Sequence, residues 1–173
     1  MRNQARSCPI DLDKLGWVDG ASRTVAESGE YVARICHIDG LIFELGLPEE
    51  PLWLRVDSLA VVQAVGNVVH NAIKYASSVV AVVLACRDGQ VEIRVEDDGQ
   101  GMAGLDVNSL LNRYTRGGRG LDEARSGSGL GLAIANAIMV EHGGDIVVGE
   151  SASGGARVRL RFPETLRVSS PSS

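Results

Sequence analysis

Residues 57–75 read DSLAVVQAVGNVVHNAIKY, and two apolar segments follow at once, VVAVVLAC at 79–86 and QVEIRVED at 90–97. The first stretch is a helix by its spacing. Leu59, Val62, Val65, Val69 and Ile73 recur every three or four residues, and Asp57 or Ser58 offers a side-chain oxygen to the first turn. It ends near Tyr75. The two following segments are rich in β-branched residues and flank Arg87-Asp88-Gly89-Gln90, whose Asp-Gly pair signals a hairpin turn. A helix feeding directly into a hairpin makes a layer of helix over sheet the natural architecture.

The segments on either side extend that pattern. Leu41 to Leu47 reads as a strand closed by Pro48, and Leu52, Leu54 and Val56 alternate as a short second one. Further upstream, Asp11 or Asp13 can cap a helix carrying Leu15, Val18, Val25, Val32 and Ile35, although Gly16, Gly20 and Gly29 interrupt it; Asp39-Gly40 ends or turns the chain. Downstream, residues 107–112 suit a helical turn, and 128–142 a helix stopped by Gly143-Gly144. His142 is expected to interact with that helix end. Residues 145–150 and 156–162 form a closing hairpin. The expected fold is α+β: a two-layer sandwich of one mixed, mostly antiparallel sheet of about five strands, with about three helices on one face. The boundaries read as a linker remnant at 1–8, one domain at 9–163, and a disordered Ser/Pro-rich tail at 164–173.

Composition narrows the function. The chain has 173 residues, 45% of them hydrophobic and 23% charged, an ordinary balance for one domain. A net charge of -5 argues against nucleic acid or an anionic membrane as the main partner. A phosphate ligand would have to be held locally, by backbone amides, a metal ion and a few basic side chains. The three cysteines, Cys8, Cys36 and Cys86, lie far apart and show no metal spacing or disulfide framework. Reduced thiols in the cytoplasm are expected, with a parent protein anchored in the inner membrane as a further expectation.

Three motifs carry chemistry. Within the first helix, Asn67, Asn71, Lys74 and Tyr75 fall on one side, away from the apolar stripe. Two carboxamides and an ammonium suit a phosphate–metal ligand: Asn71 can give an oxygen to Mg²⁺, Lys74 can neutralise a phosphate, and Tyr75 can lie against a base. A solvated helix face explains the same residues. Second, Glu96-Asp97-Asp98-Gly99-Gln100-Gly101-Met102 ends an apolar strand in a turn of little bulk. A planar base fits such a turn, with Asp97 accepting from an exocyclic amine; an ordinary Asp/Gly turn is the alternative. Third, Gly127-Ser128-Gly129-Leu130-Gly131-Leu132 opens the later helix, where exposed amides and the helix dipole favour an anion; a glycine-rich helix entry is the bland alternative. No Gly-Lys-Ser/Thr follows, so it is not a Walker loop, and no strand leads directly into it, so a Rossmann fingerprint fits poorly.

In order and context the three motifs resemble the GHKL superfamily of ATP-binding domains, and within it the sensor histidine kinases. The helix motif is similar to that family's asparagine box, and the two glycine motifs to its first and second glycine boxes. Leu111-Asn112-Arg113-Tyr114-Thr115-Arg116 resembles its phenylalanine box, with Leu111 where the family has an aromatic residue. The resemblance covers about residues 9–163 and implies ATP and Mg²⁺ as ligands. It implies that Asn71 binds the metal, Asn67 supports the phosphate–metal site, Lys74 contacts phosphate and Tyr75 packs beside adenine. Asp97 would bind the adenine amino group in a pocket shaped by Gly99, Gly101 and Met102. Gly127, Ser128, Gly129, Leu130, Gly131 and Leu132 would wrap the phosphates. Residues 105–127 would form an ATP lid, with Arg113 or Arg116 reaching the terminal phosphate.

The implied reaction is γ-phosphoryl transfer to a histidine on a dimerisation/phosphoacceptor domain, with a response regulator downstream and the isolated domain monomeric. None of His37, His70 and His142 has the acid and downstream proline of the family's acceptor box, so the acceptor is expected outside this chain. His70 reads as a partly exposed helix residue. Gyrase-like relatives carry a Glu one turn before the metal-binding Asn, where this chain has Asn67, and an amide is no general base. A rival reading is an anti-sigma-factor-type serine kinase, against which the long lid and the Lys74-Tyr75 ending speak; another is a nucleotide-binding regulatory module without transfer activity.

Overall fold

The computed structural model describes residues 6–9, 23–28, 31–38, 40–50, 52–112 and 130–169, the first three of these segments as backbone only. Strands β1 (Arg6–Pro9), β2 (Arg23–Ser28), β3 (Tyr31–Ile38), β4 (Leu41–Leu47) and β5 (Trp53–Val56) precede helix α1 (Ser58–Tyr75). Then come β6 (Val79–Arg87), β7 (Gln90–Asp97), α2 (Val107–Asn112), α3 (Leu130–Glu141), β8 (Asp145–Glu150) and β9 (Ala156–Phe162). A single 3-10 turn, Glu164–Leu166, and a two-residue strand β10 (Arg167–Val168) close the chain. The large sheet runs β2-β3-β4-β6-β7-β9-β8. Among the described strands only β4 and β6 are parallel; they are joined through α1, the long crossover that a parallel pair needs. Among the described residues no helix is long and apolar enough to cross a membrane.

The expected two-layer α+β sandwich is present, with β4, β6, β7, β9 and β8 as its mixed, mostly antiparallel centre. Where a helix was expected over the upstream segment, β2 and β3 instead extend the sheet to seven strands. Val25, Val32 and Ile35 sit in these strands; the cap candidates Asp11 and Asp13, with Leu15 and Val18, lie outside the described residues. The physical reason is the turn before β4. Gly40 has φ +82, and Ile38 pairs directly with Leu41, so the chain doubles back in a tight hairpin and the residues before it become a ladder partner. Seven residue pairs of ladder outweigh a broken helical periodicity.

The ends differ from expectation too. Arg6–Pro9, all but Pro9 within the expected linker, pairs antiparallel with β5, and Arg167–Val168, within the expected disordered tail, pairs with the other edge of β5. Together they form a separate three-stranded sheet.

The core lies between α1, α3 and one face of the large sheet. Val80, Val82 and Leu84 of β6, Val91, Ile93 and Val95 of β7, and Leu160 and Phe162 of β9 alternate inward and are buried. Burying each side chain of this size stabilises by about 1.5–3 kcal/mol. On α1 the buried stripe is Val61, Ala64, Val65, Val68, Val69 and Ala72. Leu59 and Val62, which shared the helical spacing, are 80% and 46% exposed. The first turns of α1 are apolar on several sides, so periodicity alone does not choose the face; the sheet does.

Local chemistry sets the element ends. The Asp57 carboxylate accepts from the Leu59 and Ala60 N–H groups and caps α1. Asp88 and Gly89, at φ 50 and 80, make the β6–β7 turn. At the end of α3 the Gly144 N–H bonds to Met139 O and the Gly143 N–H to Val140 O, with Gly143 at φ 70, a Schellman ending. His142 binds this helix end through Nδ1, 2.7 Å from Ile138 O, while its Nε2 accepts the Asp57 N–H at 3.1 Å. With Nδ1 donating, the lone pair is on Nε2, so one neutral imidazole pins the end of α3 to the start of α1.

Candidate functional site

The C-terminal turn of α1, the end of β7 and the first turns of α3 surround a cavity of about 680 Å³. Helix α1 contributes Asn71, Lys74 and Tyr75; β7 and its following loop contribute Asp97, Gly101 and Met102; α3 contributes Leu132. Leu105 and Leu110 wall the side toward α2, and Val68, Val95 and Val158 form an apolar floor. A mostly apolar cleft with a few convergent polar groups is the usual form of a small-molecule site.

Asp97 is the polar centre of the floor, at 5% exposure. Its Oδ1 accepts from the N–H groups of Gly99 (2.9 Å) and Ala156 (3.2 Å). A buried carboxylate held by backbone donors keeps a fixed direction. Gly99 is there because nothing larger fits: a Cβ would lie 2.0 Å from Tyr75 O. Gly101 holds φ +71, which favours glycine, and its Cβ would meet Gly154 O at 2.9 Å.

Asp98 builds the site's frame, a role that its place in the Asp/Gly turn does not announce. Its Oδ1 accepts from the N–H groups of Ser77, Ser78 and Val79, and its Oδ2 from the Ser78 hydroxyl. The Ser78 hydroxyl, then the backbone donors of Ser78 and Val79, hold the Asp98 carboxyl far below the usual carboxylate range. The carboxylate thereby staples the α1–β6 connection to the end of β7. The pairing joins residues 19–21 apart, and no local motif announces it.

Asn67 lies one turn before Asn71 and does not line the cavity; it packs against the first turn of α3, 3.5 Å from where a Cβ on Gly131 would sit. Its Nδ2 is buried and has no hydrogen-bond partner among the described residues. Lys74 Nζ stands 5.0 Å from the centroid of the Tyr75 ring. Leu111 packs on the edge of the core, and Asn136 Nδ2 donates to its carbonyl at 3.2 Å, tying α2 to α3 without an aromatic residue. His70 is exposed. Leu130 and Gly131 open α3. Arg113, Arg116, Gly127, Ser128 and Gly129 lie outside the described residues, as does most of the 105–127 lid. Among the described residues no three His, Cys, Asp or Glu side chains cluster.

Comparison with known proteins identifies the family and the fold. The family described as histidine kinase-, DNA gyrase B- and HSP90-like ATPase matches residues 56–166. The sensor protein kinase CarS of Pseudomonas aeruginosa is 40% identical over 111 residues, covering 64% of this chain and 23% of that protein. Among solved structures, the mycobacterial sensor histidine kinase MprB is similar at a TM-score of 0.56 and 27% identity, covering 70% of this chain and 82% of that one. The histidine kinase domain of the E. coli osmosensor EnvZ is similar at a TM-score of 0.54 and 30% identity, covering 76% and 79%. This chain spans less than a third of the length of the curated relatives it matches.

Proposed function

This chain belongs to the family of histidine kinase-, DNA gyrase B- and HSP90-like ATPases, and on that premise we propose that it transfers the γ-phosphoryl group of Mg-ATP to a histidine on a dimerisation/phosphoacceptor domain, within a two-component signalling pathway. The observation that carries the reading is convergence: Asn71 and Lys74 of α1, Asp97 of β7 and the opening of α3 bound one cavity. The cavity combines a nucleotide-sized volume, an apolar floor for a base, a buried acceptor for its amine, and carboxamide and ammonium groups on its wall.

The residues present fit a nucleotide and its metal. The Asn67 Nδ2, buried and without a partner among the described residues, is a donor that could serve a phosphate oxygen or a metal-bound water. Asn71 would hold Mg²⁺ through its carbonyl oxygen, and Lys74 would offset phosphate charge. When bound, Mg²⁺ neutralises phosphate oxygens and charge that develops on the leaving group. Transfer forms a bond between an imidazole nitrogen and the γ-phosphorus and breaks the bond from that phosphorus to the bridging oxygen. ADP keeps the electron pair, and the imidazole releases its proton to solvent. Because the imidazole is itself the nucleophile, this chain need only position ATP and stabilise charge. Asn67 in place of a carboxylate argues against fast hydrolysis, since an amide cannot take a proton from water.

The same reading places the domain in the cytoplasm, as a monomer when isolated, with a response regulator as the eventual acceptor. Incubating the chain with γ-labelled ATP, Mg²⁺ and a separately made phosphoacceptor domain tests it. Acid-labile, base-stable label on histidine is the expected result. Acid-stable label on serine would assign the chain to the serine kinases, and nucleotide binding without transfer to any acceptor would make it a regulatory module.

A further inference from the structure

The hairpin turn between β8 and β9 reaches the cavity floor from far away in sequence. Strand β7 pairs with β9 only as far as Glu96 opposite Arg157, so Asp97 is the first residue beyond that ladder. Its backbone carbonyl, on the side facing β9, has no strand N–H to meet. Two hydroxyls take that place: Ser151 Oγ donates to Asp97 O at 2.7 Å and Ser153 Oγ at 3.2 Å. Ser151 is 8% exposed, one of two buried polar residues among those described, the other being Asp97 itself. The turn is closed by the Ser151 N–H on Gly155 O and the Gly154 N–H on Ser151 O. It is pressed against the strand end, since a Cβ on Gly155 would lie 2.1 Å from Asp97 O.

The consequence falls on the carboxylate. With Gly99 and Ala156 N–H groups both on Oδ1, the side chain is held so that Oδ2 is the oxygen left for a ligand. We infer that Ser151 is a positioning residue for base selection: its hydroxyl clamps the end of β7, and that clamp orients Asp97 toward an exocyclic amine. The inference rests on the reading of Asp97 as the acceptor for adenine. An amino group donates to a carboxylate, whereas the oxygen that guanine carries at the same ring position is an acceptor and is repelled by it. A loosened Asp97 therefore loses discrimination between the bases, while contacts to the triphosphate, common to ATP and GTP, persist. A serine that merely satisfied a buried carbonyl would lower stability and leave the ratio of affinities unchanged.

The test measures Mg-ATP and Mg-GTP affinity by calorimetry for the parent chain and for Ser151→Ala, Ser151→Thr and Asp97→Asn. The expected result is a loss of about tenfold in the ATP-to-GTP affinity ratio for Ser151→Ala, the size of one hydrogen bond to a charged or fixed group. GTP affinity stays near parental, and Ser151→Thr, which keeps the hydroxyl, restores most of the ratio. An unchanged ratio in Ser151→Ala, with the ratio abolished in Asp97→Asn, overturns the role of Ser151 and leaves that of Asp97 standing. An unchanged ratio in Asp97→Asn removes the base reading itself. Should Ser151→Ala fail to fold, Ser151→Cys keeps the shape in a slightly larger group and weakens the donor, and an unchanged ratio there overturns the inference equally.

Discussion

The two ends of the cavity are built on opposite principles. At the strand end, Asp97, Asp98 and the glycines around them are satisfied by the protein: backbone amides fill Asp97 Oδ1, three N–H groups and a hydroxyl fill Asp98, and Gly99 is packed until no Cβ fits. Behind the helix end, just outside the cavity lining, the Asn67 amide is buried without a partner among the described residues, and Gly131 faces it with ordinary spacing. The strand end is a finished mould for a rigid planar group. The helix end keeps an unfilled polar group beside the cavity, which suits the triphosphate end of the nucleotide proposed above.

That contrast can be broken most sharply at Gly99. Gly99→Ala places a Cβ 2.0 Å from Tyr75 O, backbone that cannot step aside without moving the end of α1. A loss of about 3 kcal/mol or more is expected, with nucleotide binding abolished, as measured by thermal melting and calorimetry. Asn71→Ala should do the reverse. It removes a ligand-facing group from the unfinished end, so melting stays within about 0.5 kcal/mol of the parent while Mg-dependent ATP affinity falls roughly tenfold or more. Unchanged affinity in the presence of Mg²⁺ would remove Asn71 from the metal site.

Asp98→Ala tests whether the strand end depends on its carboxylate staple. Its folded pKa is depressed, so its contribution is fully present above the unfolded carboxylate value of about 3.9 and is lost as pH falls through the lower, folded value. The variant should therefore melt below the parent at neutral pH, by no more than about 1 kcal/mol once solvent screening of this partly exposed group is allowed for, and the gap should narrow only below about pH 4. A gap that closes between pH 7 and 5 would mean another group carries the effect. Gly131→Ala is the smallest change. Its Cβ would stand 3.5 Å from the Asn67 Cβ, ordinary contact, and alanine favours the helix, so stability should move by less than about 1 kcal/mol. A large loss would show the helix end to be as tightly moulded as the strand end.

Much of the site was legible because it is written locally. Asn71, Lys74 and Tyr75 follow from helical spacing on α1, and Asp97 with Gly101 from a strand running into a turn; all of these line the cavity. Ser151 and Ser153 were not legible, since their partner lies 54 and 56 residues away and nothing in a Ser-Ala-Ser-Gly-Gly turn names it. The upstream strands escaped for a related reason. Val25, Val32 and Ile35 suit either a helix face or a strand, and only the presence of β4 as a pairing partner decides between them.

By itself, the sequence determined the elements whose energy is local: α1 under its Asp57 cap, the Asp88-Gly89 hairpin, the Gly143-Gly144 stop and the polar face of α1. Tertiary structure alone decided which side of α1 is buried, that β2 and β3 join the sheet, and how the clamps on Asp97, Asp98 and His142 close. Each of those depends on hydrogen bonds or contacts between residues distant in the chain. Their free energy exists only once the backbone has brought both partners together, and no spacing along the sequence encodes it.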